Sequence, residues 1–260
     1  MVVVVAQDYD TMSREAAAAV AAQVRKKPAS VLSLATGETQ FGLYEELVRM
    51  HREEGLDFSL VTTFNLDEYL GLAPDHPASF HWYMHSRFFN HVNVPPDRIH
   101  IPDGLARDIQ EECLAYERAI RNAGGVDMAV LGLGRNGHIG FNEPRTEFGS
   151  RTRALFLDKR TLEANARFFG GDENAVPRQA ISMGIRTIMN SKKIILLASG
   201  KAKAPVIAQT VHGPVTEMVP SSVLQLHPDV TLIIDEEAAA DLEPSPEDFV
   251  SGSGTKTMVY

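Results

Sequence analysis

An apolar run at residues 128–133 that breaks into glycines constrains this chain more than any other stretch. The run reads as a buried strand. Gly132, Gly134, Gly137 and Gly140 then give the backbone freedom to approach a ligand or to take positive φ, which side chains would forbid. Out of the same break come Asn136, His138 and Glu143, the last two five residues apart. A loop of this kind at the carboxyl end of an α/β strand is where such sheets place their active sites. An imidazole with a carboxylate partner is a proton-transfer device near neutral pH.

Strand-like and helix-like segments alternate along the rest of the chain. Residues 2–6, 30–34, 60–64, 193–198 and 230–234 read as strands. Helices are expected at about 10–27, capped by Asp10 or Thr11, and at 41–54, 78–91, 108–123, 161–168, 178–189 and 202–212. Repeated βα units of this length predict an α/β fold, a mostly parallel sheet with helices on both faces. We expect a single domain over residues 1–243 and a Pro/Ser/Gly-rich tail over 244–260, loosely docked at most.

A chain of 260 residues is long enough to bury a sizeable core. Its net charge of −9 argues against nucleic acid or an anionic membrane as partner, because both demand clustered Lys and Arg. An anionic ligand would have to be met by a few placed cations. The longest purely apolar run, residues 16–22, is too short to span a bilayer. No basic segment precedes the short apolar start, so a secretory signal is not expected. A single cysteine, Cys113, fits a reducing compartment, and the chain reads as cytoplasmic.

Two further constellations follow strands. At 63–69 a strand delivers the neighbouring carboxylates Asp67 and Glu68. Adjacent residues leaving a strand point to opposite sides, so only one of them can face a pocket. Between a strand and a helix lies Thr36-Gly37-Glu38-Thr39, whose backbone N–H groups and hydroxyls suit an anion such as phosphate. His81 and His85 stand at i, i+4 of an expected helix, but no third ligand accompanies them at useful spacing. No metal is expected there, and Cys113 reads as a packing residue.

Together these segments resemble the glucosamine-6-phosphate deaminase family of aldose–ketose isomerases. The resemblance spans residues 30–237. It rests on Thr63-Phe64-Asn65-Leu66-Asp67-Glu68-Tyr69, His76-Pro77-Ala78-Ser79 and Gly137-His138-Ile139-Gly140-Phe141-Asn142-Glu143-Pro144, and on the segments 150–153 and 164–169. It implies a Rossmann-like three-layer sandwich and conversion of glucosamine 6-phosphate to fructose 6-phosphate and ammonia, in amino-sugar breakdown, with no cofactor or metal. By that resemblance His138 opens the sugar ring, assisted by Glu143 and oriented by Asn136, while Asp67 moves the proton between C2 and C1. The phosphate would fall to the backbone of Gly37 and Glu38, the hydroxyls of Thr36 and Thr39, and the cations Arg167 and Lys203.

Three departures from the family pattern carry expectations. Asn136 stands where many members have Asp, and its carbonyl can still accept from the His138 ring N–H. Glu38 stands where glycine or serine is commoner, so its carboxylate should turn outward, away from a phosphate. Leu155 occupies a place that is basic in the hexameric, allosteric members, so activation by N-acetylglucosamine 6-phosphate is not expected. The implied partner is a small amino-sugar phosphate; a homo-oligomer is compatible with the family. A galactosamine-6-phosphate deaminase and a non-catalytic sugar-phosphate sensor are the alternative readings.

Overall fold

The computed structural model describes residues 1–243, 249–250 and 255–260. Its centre is a nine-stranded sheet. The strands are β1 (Val2–Ala6), β2 (Val31–Leu34), β3 (Thr62–Asn65), β5 (Ile99–His100), β6 (Met128–Gly132), β9 (Lys193–Ala198), β10 (Val230–Asp235), β11 (Phe249–Val250) and β12 (Lys256–Val259). They lie in the order β11-β12-β1-β10-β9-β6-β2-β3-β5. Among the described residues every pairing from β1 across to β5 is parallel, and at the other edge β12 pairs antiparallel with both β1 and β11.

Alternate residues of the central strands feed two separate cores, as the two-residue period of a strand requires. Val3, Ala129, Leu131, Ile194 and Leu196 belong to one core, with Tyr116, Ile120 and Ile207. Those last three lie on helices α4 (Ile109–Asn122) and α7 (Ala204–His212), and α6 (Ile185–Met189) adds Ile188. Ala6, Leu32, Leu34, Val130 and Ile195 turn to the other core. There they meet Met12, Val20, Leu43, Leu47 and Met84 of α1 (Tyr9–Lys26), α2 (Phe41–Glu54) and α3 (Phe80–Arg87). The result is the expected three-layer, Rossmann-like sandwich.

β2 and β6 are neighbours, but the chain leaves β2 toward β3 and β5 and returns to β6 on the opposite side. Ligands bind at such a switch point, in the crevice beyond the carboxyl ends of the two strands. Here the ends carry Thr36-Gly37-Glu38-Thr39 after β2 and the glycine loop after β6.

The structure corrects four expectations. The helix expected at 178–189 forms only over Ile185–Met189; its first part is strand β8 (Gln179–Ser182), which sits between β4 (Asp67–Tyr69) and β7 (Arg153–Phe156) in a second, antiparallel sheet. Gly184 stands between strand and helix where the backbone crowds Ser150: a Cβ at this position would lie 2.3 Å from the Ser150 carbonyl carbon. The cap of α1 is Asp8, not Asp10 or Thr11; its side chain accepts from the Thr11 N–H at 2.7 Å. Helix α3 spans Phe80–Arg87, shorter than the 78–91 expected, and is capped by Ser79. The tail is docked where it is described at its end: β12 pairs with β1, and Met258 is buried in a sheet core. The rest of that expectation, at 244–248 and 251–254, lies outside the described residues.

Candidate active site

Asp67 opens β4, paired across to Ser182 of β8. Its side chain is buried, and that burial, with the charge of Glu68 beside it, pushes its pKa up to about 8. Glu68 turns to the opposite side, as strand geometry requires. Its carboxylate accepts from the backbone N–H groups of Phe80 and His81, at 3.0 and 2.8 Å, at the start of α3. Of the two neighbouring carboxylates, only Asp67 is therefore free to act on a ligand.

The glycine loop comes to Asp67 from β6. A Cβ at Gly140, where φ is 57°, would stand 3.4 Å from Asp67 Oδ2 and 3.0 Å from Ser182 Oγ. Ser182 fixes that approach by accepting from the Phe141 N–H at 3.1 Å. Asn142, fully buried, donates to the carbonyls of Ile139 and Met183 and accepts from Arg153 at 2.9 Å. Gly134 leaves room for the His138 ring, whose Cε1 and Nε2 would lie 2.3 Å from any Cβ there.

Within the loop, His138 Nδ1 stands 3.3 Å from Glu143 Oε1, close enough for charge but without the alignment of a hydrogen bond. Glu143 is the hub. It accepts from the Asn136 amide at 2.6 Å on one oxygen and from the Thr161 hydroxyl on the other. Burial alone would raise its pKa; the contacts with His138, Thr161 and Asn136 outweigh that and hold it below the usual carboxylate value. Asn136 thus differs from expectation. Its carbonyl accepts from the His138 backbone N–H at 3.2 Å, not from the ring, and its amide serves Glu143. The positive φ of Gly137 between them turns the imidazole away from the asparagine carbonyl.

The anion loop lies beside this pair. Thr36 and Thr39 are half-buried around Gly37, whose φ of 115° aims the loop into the crevice. Tyr83 donates to the Gly37 carbonyl at 2.7 Å and Tyr9 to the Glu38 carbonyl at 3.1 Å. A cleft of about 360 Å³ opens here, lined by Tyr9, Glu38, Thr39, Phe41 and Ser199. Lys203 comes in from the segment after β9 and donates to the Leu133 carbonyl. Burial, with Arg135 and Arg167 nearby, pulls its pKa down to about 8. Arg167 arrives on the 3-10 turn Ala166–Phe169 and pairs with Glu38 at 3.0 Å. Glu38 is exposed, yet it faces a site cation instead of turning away from the site.

The structure draws the residues expected from the sequence into two groups: Asp67, Asn136, His138 and Glu143 meet around Gly140, while Arg167 reaches Glu38 of the 36–39 loop and Lys203 reaches Leu133 at the start of the glycine loop. Sequence reasoning missed Thr161, Ser182, Tyr9 and Tyr83, which hold the site without belonging to its motifs. Nothing local marks them, because each acts on a residue distant in the chain. His81 and His85 stack on each other at 4.4 Å between ring centroids. Among the described residues no group of three His, Cys, Asp or Glu gathers as a metal site would, and no helix is long and apolar enough to cross a membrane.

Comparison with known proteins finds relatives that match most of the chain. The family described as glucosamine-6-phosphate isomerases/6-phosphogluconolactonase matches residues 6–233. A glucosamine-6-phosphate deaminase of Thermoanaerobacter pseudethanolicus is 52% identical over 240 residues, covering 92% of this chain and 94% of that protein. One from Halothermothrix orenii is 53% identical, covering 92% and 99%. Among solved structures, a monomeric glucosamine-6-phosphate deaminase superposes with a TM-score of 0.90 at 48% identity, covering 93% of this chain and all of that one.

Proposed function

The chain belongs to the family of glucosamine-6-phosphate isomerases and 6-phosphogluconolactonases, and on that premise we propose that it is a glucosamine-6-phosphate deaminase. It converts glucosamine 6-phosphate and water to fructose 6-phosphate and ammonia, with Asp67, His138 and Glu143 moving the protons. The observation that carries this reading is the meeting of Asp67 with the His138–Glu143 loop across Gly140. A lactonase needs no base at C2; an aldose–ketose isomerase does, and a buried carboxylate supplies it.

The sugar enters as a ring. Glu143 draws the imidazole proton to Nδ1, which leaves Nε2 to take the proton of the anomeric hydroxyl and return it to the ring oxygen. The 3.3 Å contact shortens when substrate settles, as catalytic hydrogen bonds commonly do on leaving the free state. Asn136 and Thr161 keep both carboxylate oxygens of Glu143 in place meanwhile.

Asp67 then takes the proton from C2. At a pKa of about 8 it is largely protonated near neutrality in the free protein. The ammonium of the arriving amino sugar favours its carboxylate form. Removal of the C2 proton, with one ammonium proton passing to O1, leaves an enolamine between C1 and C2, and return of the proton from Asp67 to C1 gives the protonated imine at C2. Water adds to C2 and the C2–N bond breaks, releasing ammonia. One carboxylate oxygen serves both carbons because they lie on one face of a planar intermediate.

Arg167, Lys203, the Thr36 and Thr39 hydroxyls and the N–H groups of Gly37 and Glu38 would hold the phosphate; few but specific cations serve an acidic protein. A cytoplasmic location and a role in N-acetylglucosamine breakdown go with this reading, and the monomeric solved relative favours a chain that works alone. Residues 1–243 are proposed as the working domain. The test is product analysis with glucosamine 6-phosphate, galactosamine 6-phosphate and free glucosamine side by side. Ammonia and fructose 6-phosphate in equal amounts from the first alone are expected. Ammonia from the galactosamine epimer alone, or from neither phosphate, would overturn the assignment.

A further inference from the structure

The two cations of the crevice rest on unlike partners. Lys203 donates to a neutral carbonyl, that of Leu133. Arg167 is held by a full negative charge, the Glu38 carboxylate, at 3.0 Å. Glu38 belongs to the very loop whose N–H groups face the crevice, and it lines the cleft there. A phosphate dianion reaching Arg167 would therefore meet a carboxylate already in its place.

We propose that Glu38 is an intramolecular competitor for the substrate phosphate at Arg167, and so sets the affinity for phosphorylated sugars. This rests on Arg167 being a phosphate ligand. The backbone of the loop is fixed without the ion pair, because Tyr83 holds the Gly37 carbonyl and Tyr9 the Glu38 carbonyl. Only the side chain has to leave. Arg167 and Glu38 have 59% and 51% of their side chains exposed, so solvent screens the pair and it exchanges readily. The guanidinium fork binds phosphate through two charge-assisted bonds, which lets the dianion win the exchange. The pair links the 166–169 turn to the loop. The same contact must break when substrate binds and re-form when product phosphate departs, which also favours release.

Calorimetric titration of the full chain with inorganic phosphate tests this, with Glu38→Gln, Arg167→Ala and the double variant beside wild type. Glu38→Gln should bind phosphate about three- to tenfold more tightly, the scale of an exposed pair and its repulsion removed. KM for the phosphorylated sugar should fall in step. In the Arg167→Ala background the Glu38 substitution should bring no gain, since the two effects are coupled. Equal or weaker phosphate binding by Glu38→Gln would overturn the proposal, as would a gain that persists without Arg167. Unchanged phosphate affinity in Arg167→Ala alone would overturn the phosphate-site assignment beneath it, and the competitor with it.

Discussion

The crevice has two ends, built to different rules. At the proton-transfer end the two carboxylates are the sheltered and fixed groups: Asp67 is buried in a strand against Ser182, and Glu143 has three side chains on its carboxylate. At the phosphate end Arg167 is more than half exposed and rests on the Glu38 carboxylate, while Lys203 donates to the Leu133 carbonyl. The first end needs fixed geometry, because proton transfer fails with small displacements. The second must open, admit a dianion and let it go. Rigid groups come from strand ends of the two sheets; exchangeable ones come from turns that cross between segments.

Substitutions that separate the two ends should differ first in size. His138→Gln should lower turnover of the cyclic sugar by about 10²–10⁴-fold, the usual worth of a general acid–base group. It should do much less to substrate already in the open-chain form. Equal losses on both forms would place His138 outside ring opening. At the other end, Arg167→Ala and Lys203→Ala should each weaken the phosphorylated sugar by about 10- to 150-fold, from roughly 1.5–3 kcal/mol per bond to a charged group. Free glucosamine should be indifferent to both. Normal binding of the phosphate sugar by the two variants would erase the division.

The proton-transfer end was also the more legible. Asn136, His138 and Glu143 are neighbours in sequence with the glycines of their loop among them, and Asp67 stands in a motif of its own at a strand end. Most of the parallel sheet was legible too, since its central strands are apolar runs, but the two-residue strand β5 is too short to leave a pattern. The antiparallel sheet was not. Gln179–Ser182 carries apolar residues at spacings a helix also offers, and only pairing with β4 and β7, distant in the chain, makes it a strand. Asn136 was placed in the right cluster with the wrong partner, because the turn at Gly137 is invisible in composition. The partner of Glu38 depends on where the 166–169 turn lands, which no local pattern fixes. Within the tail, Pro, Ser and Gly around it masked the short strand Lys256–Val259.

Smaller effects follow from protonation, and the two ends should respond with opposite preference. Lys203, drawn down to about 8, is charged below that pH and neutral above it. KM for the phosphorylated sugar should therefore rise by up to about tenfold between roughly pH 7 and pH 9, the range over which the charged fraction is lost. Lys203→Arg, which keeps its charge, should flatten the rise; an identical profile in that variant would remove Lys203 as its cause. Asp67, raised to about 8 from the usual 3.8, binds a proton in the folded state over a range where the unfolded chain has lost it. Stability must then fall as pH climbs between those values. Asp67→Asn should be more stable than wild type near pH 8 in urea or thermal unfolding, with the difference fading toward pH 4. A variant less stable at pH 8 would show that the carboxylate is not held against its charge.

Asp67 also decides the central claim, that a buried strand-end carboxylate does the chemistry while separate cations do the binding. Calorimetric binding of glucosamine 6-phosphate and ammonia release, read on the same preparation of Asp67→Asn, test both halves at once. We predict binding close to that of wild type and ammonia release lower by about 10²–10⁴-fold. A folded variant that kept more than half of the wild-type turnover would contradict the account.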